Sequence, residues 1–275
     1  VSREYAPIAR AAGATVIDNS SAFRLDPAVP LIVPEVNGQL LRESHTLIAN
    51  PNCSAAILLV AIEPLRRAFG LRRLHVATYQ AVSGAGIAAM DELRDQARAS
   101  LAGETLAPRV FHEPCAFNVF SHDSAMDPAT GLNGEERKLI DECRKITADA
   151  SLAITPTCVR VPVMRAHTQA ITAELAEPAT FEQVQNVYQV AAVNPARSGL
   201  QLIDDRAGNR FPTPLKAASK DPVLVGRLRP DPGEPPRSDG RHTSICLLAS
   251  GDQLRKGAAL NAIQIAEALK LLPYP

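Results

Sequence analysis

Short apolar runs alternate along the chain with longer segments in which apolar residues recur at helical spacing. The first fifty residues predict a helix over 3–12, a strand over 14–18 and two short strands over 31–33 and 46–49. Continuous apolar strands between helices are typical of a parallel sheet that is buried on both faces. This region therefore predicts the last part of a doubly wound sheet, with ligands at the carboxyl ends of its strands.

The most informative part of the pattern is a junction between a predicted strand and a predicted helix. The sequence Asn-Pro-Asn-Cys-Ser at 50–54 ends a strand, and an apolar helix is predicted over 55–69. Asn52 or Ser54 can cap this helix, which places Cys53 at a helix N-terminus that favours an anion. We expect this position to lower the pKa of the thiol and to make it nucleophilic. A small buried cysteine that only fills space is the structural alternative.

The remainder predicts further strands and helices around two irregular segments, 101–133 and 230–242. The predicted strands cover 74–80, 153–163, 168–175, 199–204, 223–229 and 244–249, and the predicted helices cover 91–100, 134–146, 180–192 and 257–272. Strands mixed with helices in this way indicate an α/β fold.

A glycine-rich turn, Gly84-x-Gly86-x-x-Ala89, follows the strand over 74–80. It matches the dinucleotide-binding fingerprint only loosely, because no strand that ends in an acidic residue follows about 20 residues later. We expect its glycines to let the backbone approach a ligand and to direct N–H groups toward it.

Composition excludes several classes of function. Lysine plus arginine and aspartate plus glutamate each number 29, so the net charge of zero argues against binding to nucleic acid or to a membrane surface. The five cysteines include no C-x-x-C pair, which fits neither a zinc site nor a disulfide framework and predicts a reducing, cytoplasmic compartment. The sequence begins with Val1 instead of Met, just before a predicted helix, and we expect an N-terminal segment to precede it.

The sequence contains the residue types that a thiol-dependent acyl transfer requires. A thiolate attacks a carbonyl carbon, a base moves a proton, and donors stabilise the oxyanion. The candidates are Cys53, with His167 and Gln80 as polar partners and Arg24, Lys138 and Arg160 as cations for an anionic substrate. Sequence spacing alone does not show whether these residues meet.

Several motifs resemble those of aspartate-semialdehyde dehydrogenases, in the same order along the chain. They are DNSSAFR at 18–24, VPEVN at 33–37, NPNCS at 50–54, TYQAVSGAG at 78–86, CVRVPV at 158–163 followed by Ala166-His167, and GDQLRKGAA at 251–259. The resemblance implies a truncated Rossmann-type nucleotide-binding domain over 1–50 and an α+β mixed-sheet catalytic and dimerisation domain over 51–250. A C-terminal helix over 251–275 would return to the first domain.

The same resemblance implies an activity and its partners. The enzymes of this family interconvert aspartate semialdehyde and 4-aspartyl phosphate with NADP and phosphate, on the route to lysine, threonine and methionine. We therefore expect a cytoplasmic homodimer or dimer of dimers that binds NADP and these small substrates, and no metal.

The resemblance also assigns roles, motif by motif. Cys53 would be the nucleophile that becomes an acyl-thioester, His167 the general acid and base, and Gln80 the residue that orients the thioester or the substrate. Arg160 would bind the substrate α-carboxylate, and Glu135 its amine. Phosphate would be bound by Arg24, Asn52 and Lys138. The nicotinamide side of the cofactor would be bound by Ser83, Gly84 and Gln253.

Two alternatives stay open. The related N-acetyl-glutamyl-phosphate reductases share the chemistry of thiol and acyl phosphate, although the position of Arg160 and the motif around Gln80 favour the aspartate enzymes. Alternatively, the chain is a catalytically silent substrate and dimerisation fragment that lacks the cofactor cradle. An assay with both substrates and a measurement of NADP binding separate these possibilities.

Overall fold

Two β-sheets and the helices packed against them form the structure, a computed structural model that describes residues 1–235 and 237–270. The α-helices are α1 Ser2–Ala11, α2 Pro34–Asn37, α3 Cys53–Phe69, α4 Ile87–Leu101, α5 Gly134–Thr147, α6 Phe181–Ala192, α7 Pro195–Ser198, α8 Pro214–Ala217 and α9 Leu260–Lys270. The strands are β1 Val16–Asp18, β2 Leu47–Ala49, β3 Leu71–Gln80, β4 Phe120–Ser121, β5 Ala153–Arg160, β6 His167–Ala179, β7 Leu200–Leu202, β8 Val223–Pro230 and β9 His242–Gly251. Across these described ranges, no helix combines the length and the apolar character that a membrane crossing requires.

The smaller sheet pairs β1 with β2 in parallel, as the apolar pattern predicts. The predicted strand over 31–33 is wrong, because Leu31 makes only an isolated bridge to Ala49 before Pro34 begins α2. Proline suits the first turn of a helix, where its missing N–H costs nothing. Helix α9 packs on this sheet, with Ile265 in a buried cluster that includes Ile48.

The helix predicted over 257–272 starts earlier in the structure, and its first turn has a different geometry. It begins as a π-helical turn over Arg255–Ala259 and continues as α9, while residues 271–272 lie outside the described residues. A π-helical turn widens the backbone locally and often occurs at a functional site.

The larger sheet has seven strands in the order β4-β5-β3-β6-β9-β8-β7 and mixes parallel with antiparallel pairs. The mixed sheet predicted for the middle of the chain is confirmed. Several strand boundaries differ from the predicted ones: for example, β5 ends at Arg160 rather than at 163, β6 continues to Ala179, and β7 is limited to Leu200–Leu202. Helices α3, α5 and α6 share one apolar core with one face of this sheet.

The opposite face of this sheet, hereafter the exposed sheet face, is lined by small and polar side chains. In the central row, register places Ala77 beside both Thr157 and Ala170, and Ala170 beside Leu248. Tyr79, in the adjacent row, is 40% exposed. The mixed sheet thus has one face in the core and one face open to contact.

Candidate active site

The ends of three adjacent strands meet the start of α3. Gln80 and Arg160 end the parallel strands β3 and β5 in register, and His167 begins the antiparallel strand β6 beside them. Cys53 is the first residue of α3, and the side chain of Asn52 caps this helix by accepting from the N–H groups of Ser54 and Ala55. The fold therefore assembles residues that lie more than one hundred positions apart.

Cys53 and His167 are in direct contact, with Sγ 3.5 Å from Nε2. The Nδ1 atom of His167 accepts from the N–H of Ala81 at 2.9 Å. Because a backbone N–H can only donate, the proton of the neutral imidazole lies on Nε2 and points to the sulfur. The two side chains predicted as nucleophile and acid or base are thus brought together.

The electrostatic environment keeps this pair uncharged. Burial and, after it, the charge of Glu135 raise the pKa of Cys53 to about 12. Burial and, after it, the charge of Arg160 lower the pKa of His167 to about 3. The expected lowering of the thiol pKa is therefore wrong, because loss of solvation and a nearby carboxylate outweigh the helix N-terminus.

Glu135 connects the polar residues around the thiol. Its Oε1 accepts from Nδ2 of Asn52 at 2.9 Å and from Nε2 of Gln80 at 3.3 Å, and Lys138 lies 3.5 Å from its Oε2. Burial alone would raise the pKa of Glu135, but His122, Lys138 and these amide bonds lower it below its ordinary value. An ionised Glu135 therefore fixes the two amides.

Arg24 is connected through Glu142 to the N-terminus of α3. Its Nη1 donates to Oε1 of Glu142 at 3.0 Å, and Oε2 of Glu142 accepts from the N–H of Asn52 at 2.6 Å. The other nitrogens of Arg24 donate to the carbonyls of Asn50 and Asn19. The structure thus gives Arg24 internal partners, and its contact with phosphate stays a prediction.

A single glycine sets the distance between the π-helical turn and Cys53. A Cβ added at Gly257 would lie 2.6 Å from Cβ of Cys53 and 3.0 Å from its Cα. Any side chain at position 257 would displace Cys53, so the observed position of Cys53 requires a glycine there.

Comparison with known proteins identifies the family. Residues 62–256 match the family described as "Semialdehyde dehydrogenase, dimerisation domain", and residues 1–44 match "Semialdehyde dehydrogenase, NAD binding domain". The chain is 44% identical over 268 residues to an aspartate-semialdehyde dehydrogenase of Synechocystis sp., covering 98% of the chain and 75% of that protein. The chain belongs to the aspartate-semialdehyde dehydrogenase family.

Other members support this placement. The enzyme of Bacillus subtilis is 41% identical over 281 residues, covering 99% of the chain and 77% of that protein. The crystal structure of aspartate semialdehyde dehydrogenase II from Vibrio cholerae, complexed with ASA, has a TM-score of 0.90 at 40% identity and covers 99% of the chain and 77% of its own. The α/β fold expected from the family resemblance is confirmed.

The family uses a nicotinamide cofactor, and the turn after β3 fits the reactive end of one. Gly84 and Gly86 are exposed, and α4 begins at this turn without a side-chain cap. A Cβ at Gly84 would lie 3.3 Å from Cε1 of His167, so this backbone borders the catalytic pair. Gln253 donates to Ser83 and accepts from the N–H of Ala166, which joins the turn to the start of β6.

Sequence reasoning missed the residues that surround Arg160. Its guanidinium contacts Asp123 and His122, and it lies 5.3 Å from the ring centroid of Phe111. All three neighbours come from the irregular segment 101–133, which offers no periodicity. A polar cluster such as His122-Asp123-Ser124 beside a short apolar run was the only available signal.

Proposed function

We propose that this chain catalyses the reversible conversion of 4-aspartyl phosphate to aspartate semialdehyde through an acyl-thioester on Cys53, with NADP as cofactor. The contact of 3.5 Å between Sγ of Cys53 and Nε2 of His167, beside Arg160, carries this proposal. A thiol next to a proton donor and a guanidinium suits a substrate with a carbonyl at one end and a carboxylate at the other.

In the oxidative direction, the sulfur of Cys53 attacks the aldehyde carbon and forms a hemithioacetal. Loss of a hydride and a proton converts this adduct into a thioester, and a phosphate oxygen then displaces the sulfur to release the acyl phosphate. The nicotinamide cofactor, when bound, accepts the hydride.

The tautomer of His167 defines the order of its proton transfers. Because the Ala81 N–H occupies Nδ1, the neutral ring presents Nε2–H to the site and acts first as a donor to the carbonyl oxygen. Nε2 can accept the proton of the thiol as its own proton passes to the carbonyl oxygen, so that the ring is neutral again once the hemithioacetal has formed.

The remaining site residues are assigned to phosphate, substrate and cofactor by their positions in the structure. Asn52 and Lys138, joined through Glu135, would meet phosphate. Arg160 would bind the α-carboxylate, and Gln80 would orient the carbonyl from the end of the adjacent strand. Ser83, Gly84 and Gln253 would hold the nicotinamide end of the cofactor.

The match of residues 62–256 to a dimerisation domain supports a homodimer, and the exposed sheet face, where Tyr79 is 40% exposed, is open to a second copy. The five free cysteines support a reducing cytoplasmic compartment.

The test is an assay of hydride transfer with aspartate semialdehyde, phosphate and either NADP or NAD. We expect turnover with NADP and none in Cys53→Ala, while the variant keeps the wild-type unfolding curve. Equal or higher activity on N-acetylglutamate semialdehyde would favour the reductase alternative. Calorimetric titration with NADP tests the silent alternative, which tight binding by this chain rejects.

A further inference from the structure

Lys256 is a buried cation that the proposed reaction does not use. Its side chain is 1% exposed, and Nζ lies 2.5 Å from Oε2 of Glu35, whose side chain is 4% exposed. Nζ also donates to Oδ1 of Asn261 and to Oε1 of Gln264, each at 2.8 Å. Three acceptors thus surround Nζ, and only an ammonium group has three N–H bonds to give them. Lys256 therefore carries its charge in the interior of the protein.

The ion pair joins two regions of the chain. Glu35 in α2 lies within residues 1–44, which match the NAD-binding domain, and Lys256 is the last residue of 62–256, which match the dimerisation domain. A Cβ added at Gly199 would lie 2.8 Å from Oε1 of Glu35, so the carboxylate occupies space that only a glycine leaves open. The π-helical turn that contains Lys256 is thus held by a side chain of the first region.

Gly257, which packs against Cys53, is anchored on both sides. Before it, Lys256 is fixed by the ion pair. After it, the carbonyl of Ala258 accepts from Nδ2 of Asn50 at 3.1 Å. A Cβ at Gly257 would lie 2.6 Å from Cβ of Cys53, so the backbone of the turn is in close contact with the first residue of α3. A fixed turn therefore limits where the thiol can lie.

We propose that Glu35 and Lys256 are positioning residues for the nucleophile. Their ion pair holds the π-helical turn against the start of α3 and so keeps Sγ of Cys53 3.5 Å from Nε2 of His167. A buried ion pair contributes little to stability, because the loss of solvation offsets the attraction of the charges. A fixed geometry, by contrast, is what two reacting groups require. The inference rests on the proposed function, because it takes Cys53 as the nucleophile.

The test separates position from stability with a double variant. Lys256→Met alone leaves a buried carboxylate without a cation, which should be strongly destabilising. Lys256→Met combined with Glu35→Leu removes both charges and fills a similar volume, a replacement that is often neutral for stability. The first-turnover rate of NADPH formation from aspartate semialdehyde, phosphate and NADP is measured beside urea unfolding.

Glu35→Asp is a milder variant that keeps both charges. It shortens the carboxylate arm by one methylene group, so the ammonium group must move with it or the pair must separate. Tyr188→Phe is the matched control, because it removes a buried hydrogen bond of 2.8 Å to the carbonyl of Ala61 in the middle of α3. This control should lower the unfolding midpoint without moving the first turn of α3.

We expect the double variant to recover most of the stability that Lys256→Met loses and yet to form NADPH about tenfold more slowly than the wild type. This loss is part of the roughly hundredfold that a displacement of 1 Å can cost, and Glu35→Asp should show a loss of the same order. KM for aspartate semialdehyde should change by less than about threefold, since the contacts of Arg160 are untouched. Tyr188→Phe should keep the wild-type rate.

A double variant with the wild-type rate would overturn the inference. An equal loss of rate in Tyr188→Phe would do the same, because activity would then follow stability alone. If the double variant does not fold, Glu35→Asp decides, and a rate within about twofold of the wild type overturns the inference. Each of these results with an active wild type leaves the proposed function standing, whereas a wild type without turnover overturns both.

Discussion

Gly257→Ala should damage catalysis while leaving every catalytic side chain chemically intact. The added methyl group would lie 2.6 Å from Cβ of Cys53, whereas carbon atoms in favourable contact are about 3.5–4.0 Å apart. Both partners belong to ordered backbone, the first turn of α3 and the π-helical turn, so no flexible side-chain end can move aside. Relief of the overlap requires a separation of about 1 Å between these two segments.

The size of the effect follows from this displacement. Misplacing a reacting group by 1 Å can cost about a hundredfold in rate, and overpacking a core costs about 1–3 kcal/mol of unfolding free energy. We therefore expect kcat for hydride transfer to fall about a hundredfold, with a loss of about 1–3 kcal/mol in urea denaturation. Titration of the accessible thiol with iodoacetamide would show that Cys53 is still present.

Gly38→Ala is the matched control. Gly38 has ordinary helical backbone angles, and the nearest atom to an added Cβ is 3.7 Å away, a normal contact. This variant should keep the activity of the wild type. A Gly257→Ala enzyme with kcat within about twofold of the wild type would show that the reasoning from close packing to catalysis is wrong.

Three further predictions follow from the described contacts. Because a pKa of about 12 leaves Cys53 mostly protonated, its alkylation rate should rise about tenfold per pH unit between pH 7 and 10, and a plateau below pH 8 would contradict this. Glu135→Gln removes a charge that raises this pKa and should speed alkylation at fixed pH, about threefold for each half unit of pKa; an unchanged rate would argue against that influence. Ala170→Arg, in the middle of the exposed sheet face, should convert a dimer to monomers in light scattering, and a dimer of unchanged mass would place the interface elsewhere.

The sequence identifies the junction at Cys53 because its signals are local. An apolar strand, a turn with proline and an asparagine cap lie within a few residues, and the structure shows Asn52 capping α3 as expected. The strand predicted over 31–33 was wrong for an equally local reason, since prolines limit the backbone hydrogen bonds of this segment. Residues that are close in sequence thus determine whether such short strands and helix starts form.

The environment of the thiol could not be predicted in this way. A helix N-terminus is visible in sequence, but burial and the approach of Glu135 from α5 depend on tertiary packing. The contact of Cys53 with His167 spans 114 positions and was expected only from family motifs. Asp123 lies in a segment without periodicity, so nothing in the sequence indicated that it faces Arg160.

The three cations predicted for anionic groups of the substrate share a feature that only the structure reveals. Each forms an ion pair with a carboxylate of the chain, and these pairs are Arg24–Glu142, Lys138–Glu135 and Arg160–Asp123. In this chain, which has no net charge, the predicted anion sites are therefore not unpaired cations. An unpaired charge would cost free energy wherever it is buried. If these cations bind the substrate anions as proposed, each anion has to exchange with an internal carboxylate, and its affinity then depends on where the displaced carboxylate goes.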